Sequence, residues 1–151
     1  MKILMVCFND VCRSPLAKGI LDHKLKENKL TAEVDTAGFE PHNIGEVPNP
    51  HAIQVAKENG IDISAHRARL FAKTDFDKFD KIFVMESMDY NNVKYMARND
   101  DDMKKVDYLM NEVTPGKNKP VPNPYYGGRF QFNEVFSMIS LACDQVIKKL
   151  K

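Results

Sequence analysis

Four near-continuous apolar runs of strand length, Lys2–Cys7, Ala32–Ala37, Lys81–Met85 and Val106–Met110, constrain this chain more than any other feature. A strand with one wet face alternates polar and apolar residues. These runs do not alternate, as expected of strands covered on both faces by helices. Helical patterns lie between them. Ser14-Pro15 reads as a helix start, with Ser14 as a capping hydroxyl and Pro15 at the first helical position, and Leu16, Ile20, Leu21 and Leu25 mark the buried face of that helix. Pro50 to Asn59, stopped by Gly60, and Ser87 to Arg98, running into Asn99-Asp100-Asp101-Asp102, read as further helices. That acidic run is expected to be a solvated loop. The last helix carries Phe132, Val135, Phe136, Ile139, Cys143, Val146 and Leu150 at three- and four-residue steps. Strands alternating with helices predict one α/β domain over residues 1–151, a four-stranded parallel sheet with helices on both faces, and a site at the strand carboxyl ends.

Composition narrows the function classes. Lys and Arg number 22 against 21 Asp and Glu, a net charge of +1, which argues against nucleic-acid or membrane-surface binding driven by electrostatics. The three cysteines form no disulfide framework and have no zinc-ligand spacing, so a reducing, cytoplasmic setting is expected and no metal or other cofactor is called for. The apolar stretch Ile3 to Phe8 is about a third of a membrane span and closes at Asn9-Asp10. It reads as a buried strand. There is no internal repeat and no linker. The one long patternless stretch, Asn111 to Gly128, holds four prolines and three glycines, and loops of that length are usually functional or disordered.

The chemistry concentrates after the first strand, in Cys7-Phe8-Asn9-Asp10-Val11-Cys12-Arg13-Ser14-Pro15. A short loop between a strand and a helix aims several backbone N–H groups at one spot, here those of Phe8, Asn9, Asp10, Val11, Cys12 and Arg13. The helix N-terminus adds partial positive charge, and the Arg13 guanidinium can give two parallel hydrogen bonds to an oxyanion. In such a field the Cys7 thiol is expected to fall from about 8.5 into a range of roughly 3.5–7.5, making it a thiolate nucleophile.

The same residues resemble the low-molecular-weight protein tyrosine phosphatase family, whose loop reads V-C-x-G-N-x-C-R-S-P after an N-terminal strand. Val6-Cys7 and Cys12-Arg13-Ser14-Pro15 match it. Asp35-Thr36-Ala37-Gly38 is similar to the family's D-S-(A/G)-G, and Asn43-Ile44-Gly45 to its N-x-G, with His42 at the usual aromatic position of the site wall. Asn49-Pro50-His51-Ala52 resembles D-P-R-A. Gly60 to Arg69 resembles G-I-D-x-S-x-H-x-A-R, Phe79 to Glu86 resembles F-D-x-I-x-x-M-(D/E), and Val121 to Gly128 resembles V-P-D-P-Y-Y-G-G.

The resemblance implies hydrolysis of phosphotyrosine or aryl phosphate monoesters through a cysteinyl-phosphate intermediate, with a phosphotyrosine-containing protein as partner and inorganic phosphate or vanadate as inhibitors. Cys7 would attack phosphorus, Arg13 and the loop N–H groups would bind the equatorial oxygens, and Ser14 would steady the leaving thiolate. Cys12 is similar to a second loop cysteine able to form a reversible disulfide with the nucleophile. His42, Tyr125 and Tyr126 would flank the ring.

The chain departs from the family in three places, at four positions. Asn9-Asp10 replaces Gly-Asn, Asn49 replaces a usual Asp, and Asn123 stands where the family has its general acid. An amide cannot donate a proton at neutral pH, and losing a general acid costs on the order of 10²–10⁴ in rate. An attenuated phosphatase is the first expectation, and a phosphotyrosine-binding pseudo-phosphatase the alternative. The resemblance implies a left-handed residue at position 10 tied to neighbouring polar groups, by position Ser14, Thr36 and His66, and Asp10 can adopt that conformation as Asn does. Its charge should raise the Cys7 pKa unless a protonated His66 balances it, although His66 also reads as a plain core histidine supporting the loop. Arsenate reduction ranks low, because it needs further redox cysteines in a mobile segment and only Cys143, on the apolar stripe of the last helix, remains. His23 and His51 read as surface residues without partners.

Overall fold

A computed structural model describes residues 1–124 and 127–151 of the chain. Among these, four strands form one parallel sheet in the order β2-β1-β3-β4: β1 Lys2–Val6, β2 Glu33–Ala37, β3 Lys81–Val84 and β4 Val106–Tyr108. The register pairs Met5 with both Thr36 and Phe83, and Ile82 with Val106. Every strand falls inside its predicted run. β2 ends with its run at Ala37, and the other three end a residue or two early, because Cys7, Met85 and Leu109 already turn into the loops that leave the sheet.

Alternate residues of β1 point to opposite layers. Ile3, Met5 and Cys7 join the core beneath α1 (Arg13–Glu27), α2 (Pro50–Glu58) and α6 (Arg129–Leu150), whereas Leu4 and Val6 join Phe71, Phe76, Phe79 and Val93 on the other face. Two-faced burial is the physical reason for the continuous apolar runs. Helices α3 (Asp75–Lys78), α4 (Ser87–Met96) and α5 (Asp100–Met103) accompany β3 and β4.

Two local readings are corrected. Helix α1 begins at Arg13, so Pro15 occupies its third position, where the missing N–H still costs nothing because the first four N–H groups have no intrahelical partner. Ser14 caps nothing; its hydroxyl is engaged inside the loop. The acidic run is not a solvated loop. Asn99 accepts from the Asp102 N–H at 2.9 Å and starts α5, and the buried Asp102 carboxylate receives Arg98 at 2.9 Å. Arg98 also reaches Asp77 at 2.7 Å, tying α3 to the end of α4.

Strand order places the functional end. β2 lies on one side of β1 and β3 on the other, so the chain reverses direction across the sheet at the β1/β3 boundary, where ligands of open α/β sheets bind. The Cys7–Arg13 loop leaves β1 at that point. Gly38, just after β2, packs flat against it: a Cβ there would lie 2.8–2.9 Å from the Phe8 carbonyl, the Asp10 nitrogen and the Cys7 carbonyl. These are backbone atoms of a buried loop and cannot step aside. Gly38→Ala should therefore cost about 1–3 kcal/mol of stability by forced displacement. A urea titration of both proteins checks this, and an unchanged midpoint would show that the loop yields.

Candidate active site

The loop is held from three sides. Asp10, fully buried with φ 55°, takes the expected left-handed conformation. Its carboxylate accepts the Ser14 hydroxyl at 2.7 Å and the Arg69 N–H at 3.1 Å. The His66 Nε2 lies 2.8 Å from the Asp10 carbonyl oxygen and 3.5 Å from its Oδ1. His66 thus braces the loop backbone and adjoins the loop carboxylate. Burial pushes the Asp10 carboxyl up, against the opposing pull of Ser14, His66, the Arg69 N–H and the buried Thr36.

Arg69 explains why this segment sits where it does. Its guanidinium binds Asp75 at 3.0 and 3.1 Å and Asp35 at 3.2 Å, while its carbonyl accepts the Gly38 N–H at 2.9 Å. Asn49 closes the other side: its N–H donates to the Val11 carbonyl at 2.7 Å, and its side chain accepts the His51 N–H at 2.8 Å to cap α2.

Arg13 supplies the third anchor. Its side chain is 3% exposed, and Nη1 donates to the Glu86 carboxylate and, at 2.9 Å, to the Val121 carbonyl. The Val121 N–H in turn donates to the Met85 carbonyl at 2.7 Å. The segment carrying Asn123 is thereby stitched to the end of β3 and to the loop. Asn123 itself is exposed, two residues beyond Val121.

Cys7 lies at the base of the loop, fully buried. Its Sγ is 3.0 Å from the Ser14 Oγ and 3.4 Å from the Ser14 nitrogen, whose N–H donates to it. The expected lowering of its pKa does not hold. Burial pushes the thiol up, the Arg13 guanidinium pulls it down, the Asp10 and Asp89 carboxyls push it up further, and the Ser14 hydroxyl bond helps to lower it. The helix terminus and one arginine do not outweigh a dry site flanked by acids. Cys12, the residue preceding α1, is also a buried free thiol, pushed up to about 12 chiefly by burial and then by Cys7.

Of the remaining candidates, Phe8, Asn9 and Val11 form the loop as predicted, the first two half-buried. His42 is exposed in a 3-10 turn, Pro41–Asn43, whose start is capped by Glu40. Tyr125 and Tyr126 lie outside the described residues. Cys143 is fully buried in α6, with its thiol pushed up to about 12 by burial, which leaves arsenate reduction without an accessible third thiol among the described residues. His23 and His51 are exposed but not alone: His23 meets Glu27 at 3.3 Å, and the His51 ring packs 5.3 Å from that of Phe132. Sequence reasoning missed Glu86 and Asp89 as members of the site. Glu86 ends the Phe79 to Glu86 motif that resembles the family's F-D-x-I-x-x-M-(D/E), and nothing in that motif marks its contact with Arg13.

A family model of low molecular weight phosphotyrosine protein phosphatases matches residues 2–151. The chain belongs to this family. A low molecular weight phosphotyrosine protein phosphatase of Schizosaccharomyces pombe is 33% identical over 138 residues, covering 89% of this chain and 87% of that protein. Among solved structures, a protein tyrosine phosphatase from Entamoeba histolytica superposes with a TM-score of 0.92 at 29% identity, covering 99% of this chain and 96% of that one. Wzb from Vibrio vulnificus, in complex with benzylphosphonate, superposes at 0.87 with 27% identity over 99% and 98% of the two chains. The four-stranded parallel sheet is thus the family fold. No helix among the described residues is long and apolar enough to cross a membrane.

In this member of the family, the acid in the loop generates a test. Asp10→Asn keeps an acceptor for Ser14 but removes a negative charge that acts directly on Cys7. The Cys7 pKa should fall. The pH dependence of thiol alkylation by iodoacetamide measures it, and a profile unmoved by the substitution would show that the Asp10 charge does not reach the sulfur.

Proposed function

We propose that this chain hydrolyses phosphotyrosine and related aryl phosphate monoesters through a cysteinyl-phosphate intermediate, at a rate limited by Asn123. The observation that carries the reading is the placement of the Cys7 sulfur at the base of a loop that ends in the buried, doubly anchored Arg13. Family membership and the benzylphosphonate held by the Vibrio vulnificus relative support the substrate class.

In this reading the loop N–H groups from Phe8 to Arg13 and the guanidinium bind the three non-bridging oxygens. The Cys7 thiol gives up its proton to solvent, and the sulfur then bonds to phosphorus as the bond to the aryl oxygen breaks. Asn123 has no proton to give, so the leaving oxygen departs as a phenolate and is protonated by water. A water molecule then attacks phosphorus, the S–P bond breaks, and phosphate and the Cys7 thiolate separate. The Ser14 N–H, 3.4 Å from the sulfur, stabilises that thiolate, joined by the Ser14 hydroxyl at 3.0 Å when its single proton turns from Asp10 to the sulfur. His42, Tyr125 and Tyr126 are assigned to the ring-binding wall, and phosphate and vanadate to the same loop as inhibitors. Three free cysteines suit a cytoplasmic setting.

A second reading, capture of phosphotyrosine ligands without turnover, is favoured by Asn123 together with the upward push on the Cys7 thiol. Turnover and affinity measured side by side on p-nitrophenyl phosphate separate the two. Cys7→Ser should abolish turnover and Arg13→Ala should abolish vanadate binding. Asn123→Asp should raise turnover by roughly ten- to a thousandfold, more for alkyl phosphates than for p-nitrophenyl phosphate, whose anion leaves with little help. No gain on either substrate, with binding retained, would favour the pseudo-phosphatase.

A further inference from the structure

Asp89, in the first turn of α4, is fully buried, and neither of its carboxylate oxygens has a hydrogen-bond partner among the described residues. The N–H groups of Met85 and Glu86 influence it without reaching hydrogen-bond geometry. A buried carboxylate left in this condition is costly, and such groups usually neutralise themselves by keeping a proton. The charges around it make the case specific. Its neighbours in the electrostatic sense are Arg13 at the start of α1, Glu86 just ahead of α4, Cys7 at the end of β1 and Tyr108 of β4. Arg13 is already bound to Glu86, so the cation that pulls on Asp89 is already paired.

We propose that Asp89 is a positioning residue of the loop which, by holding or releasing one proton, sets how strongly Arg13 and the loop bind a doubly charged oxyanion. The inference rests on the oxyanion-binding role given to this loop above. With Asp89 protonated, Arg13 and Glu86 balance each other and the loop N–H groups act on the ligand without opposition. With Asp89 ionised, two acids face one guanidinium, and an entering dianion meets net negative charge. Linkage makes the effect reciprocal: a bound dianion must increase the affinity of Asp89 for its proton. Burial, with a smaller addition from Glu86 and against the pull of Arg13, pushes the Asp89 carboxyl up to about 7, so the exchange falls near neutrality. Asp10 also acts on Cys7 but is paired with Ser14, Arg69 and His66, a different set of partners.

Tungstate is a suitable probe because it stays a dianion on both sides of neutrality, so its own ionisation adds no slope. In the unsubstituted protein its affinity should fall as pH rises through neutrality, and binding near neutral pH should take up a proton, read by calorimetry in buffers of different ionisation enthalpy. Asp89→Asn, which keeps the shape, should flatten that step and bind tungstate about five- to tenfold more tightly above neutrality. NMR of the unsubstituted protein with ¹³C-labelled aspartate gives an independent readout: the Asp89 carboxyl should titrate near neutrality and shift upward when tungstate is added. An Asp89→Asn profile with the original slope, or an Asp89 carboxyl that titrates in the ordinary acid range, overturns the inference while leaving the oxyanion site intact. Failure of the unsubstituted protein to bind tungstate at any pH overturns both.

Discussion

A buried guanidinium holds the functional end of this molecule together. Arg13 belongs to α1, Glu86 follows β3, and Val121 precedes the exposed Asn123, so Nη1 of one residue joins three segments distant in sequence. Removing one partner from a buried charge pair costs about 3–5 kcal/mol, because the other charge is left without compensation. The ion pair therefore constrains geometry strongly, whatever its net contribution to stability. It also fixes where the loop stands relative to the strand ends.

The second theme is an excess of acid. Asp10 and Asp89 both act on a thiol whose reactivity depends on positive charge, while Glu86 takes up the Arg13 guanidinium and His66 adjoins Asp10. Asp10 is structurally satisfied, with Ser14 and the Arg69 N–H on its oxygens. Asp89 is not. Two acids of the same kind, both acting on the same sulfur, thus differ because one sits in a hydrogen-bonded turn and the other is buried with no hydrogen-bond partner among the described residues. The raised Cys7 thiol follows from this balance. A helix terminus contributes only partial charge, and burial withdraws the water that would otherwise stabilise a thiolate.

Much of the architecture was legible in the sequence because its signals are local or periodic. The four apolar strands and the long C-terminal helix with Val135, Ile139 and Cys143 on its inner face follow from residue type and spacing, and the left-handed Asp10 follows from the family resemblance. The errors have one source. Ser14 was read as a helix cap and Asn99 to Asp102 as a solvated loop because nearest-neighbour reasoning cannot see Asp10 and Cys7 beside Ser14, or Arg98 and the packing that buries Asp102. Local propensity yields when a tertiary partner offers a stronger bond.

Covalent connectivity and the apolar runs already place a cysteine and an arginine at the two ends of a short loop between the first strand and the first helix. The charge that this loop sees arises only on packing. Glu86, Asp89 and Val121 reach it from the far side of the sheet's reversal point, and their separation in sequence from Cys7 carries no mark of their proximity in space. A pKa depends on the summed field and on the loss of water, and both exist only once the chain is packed.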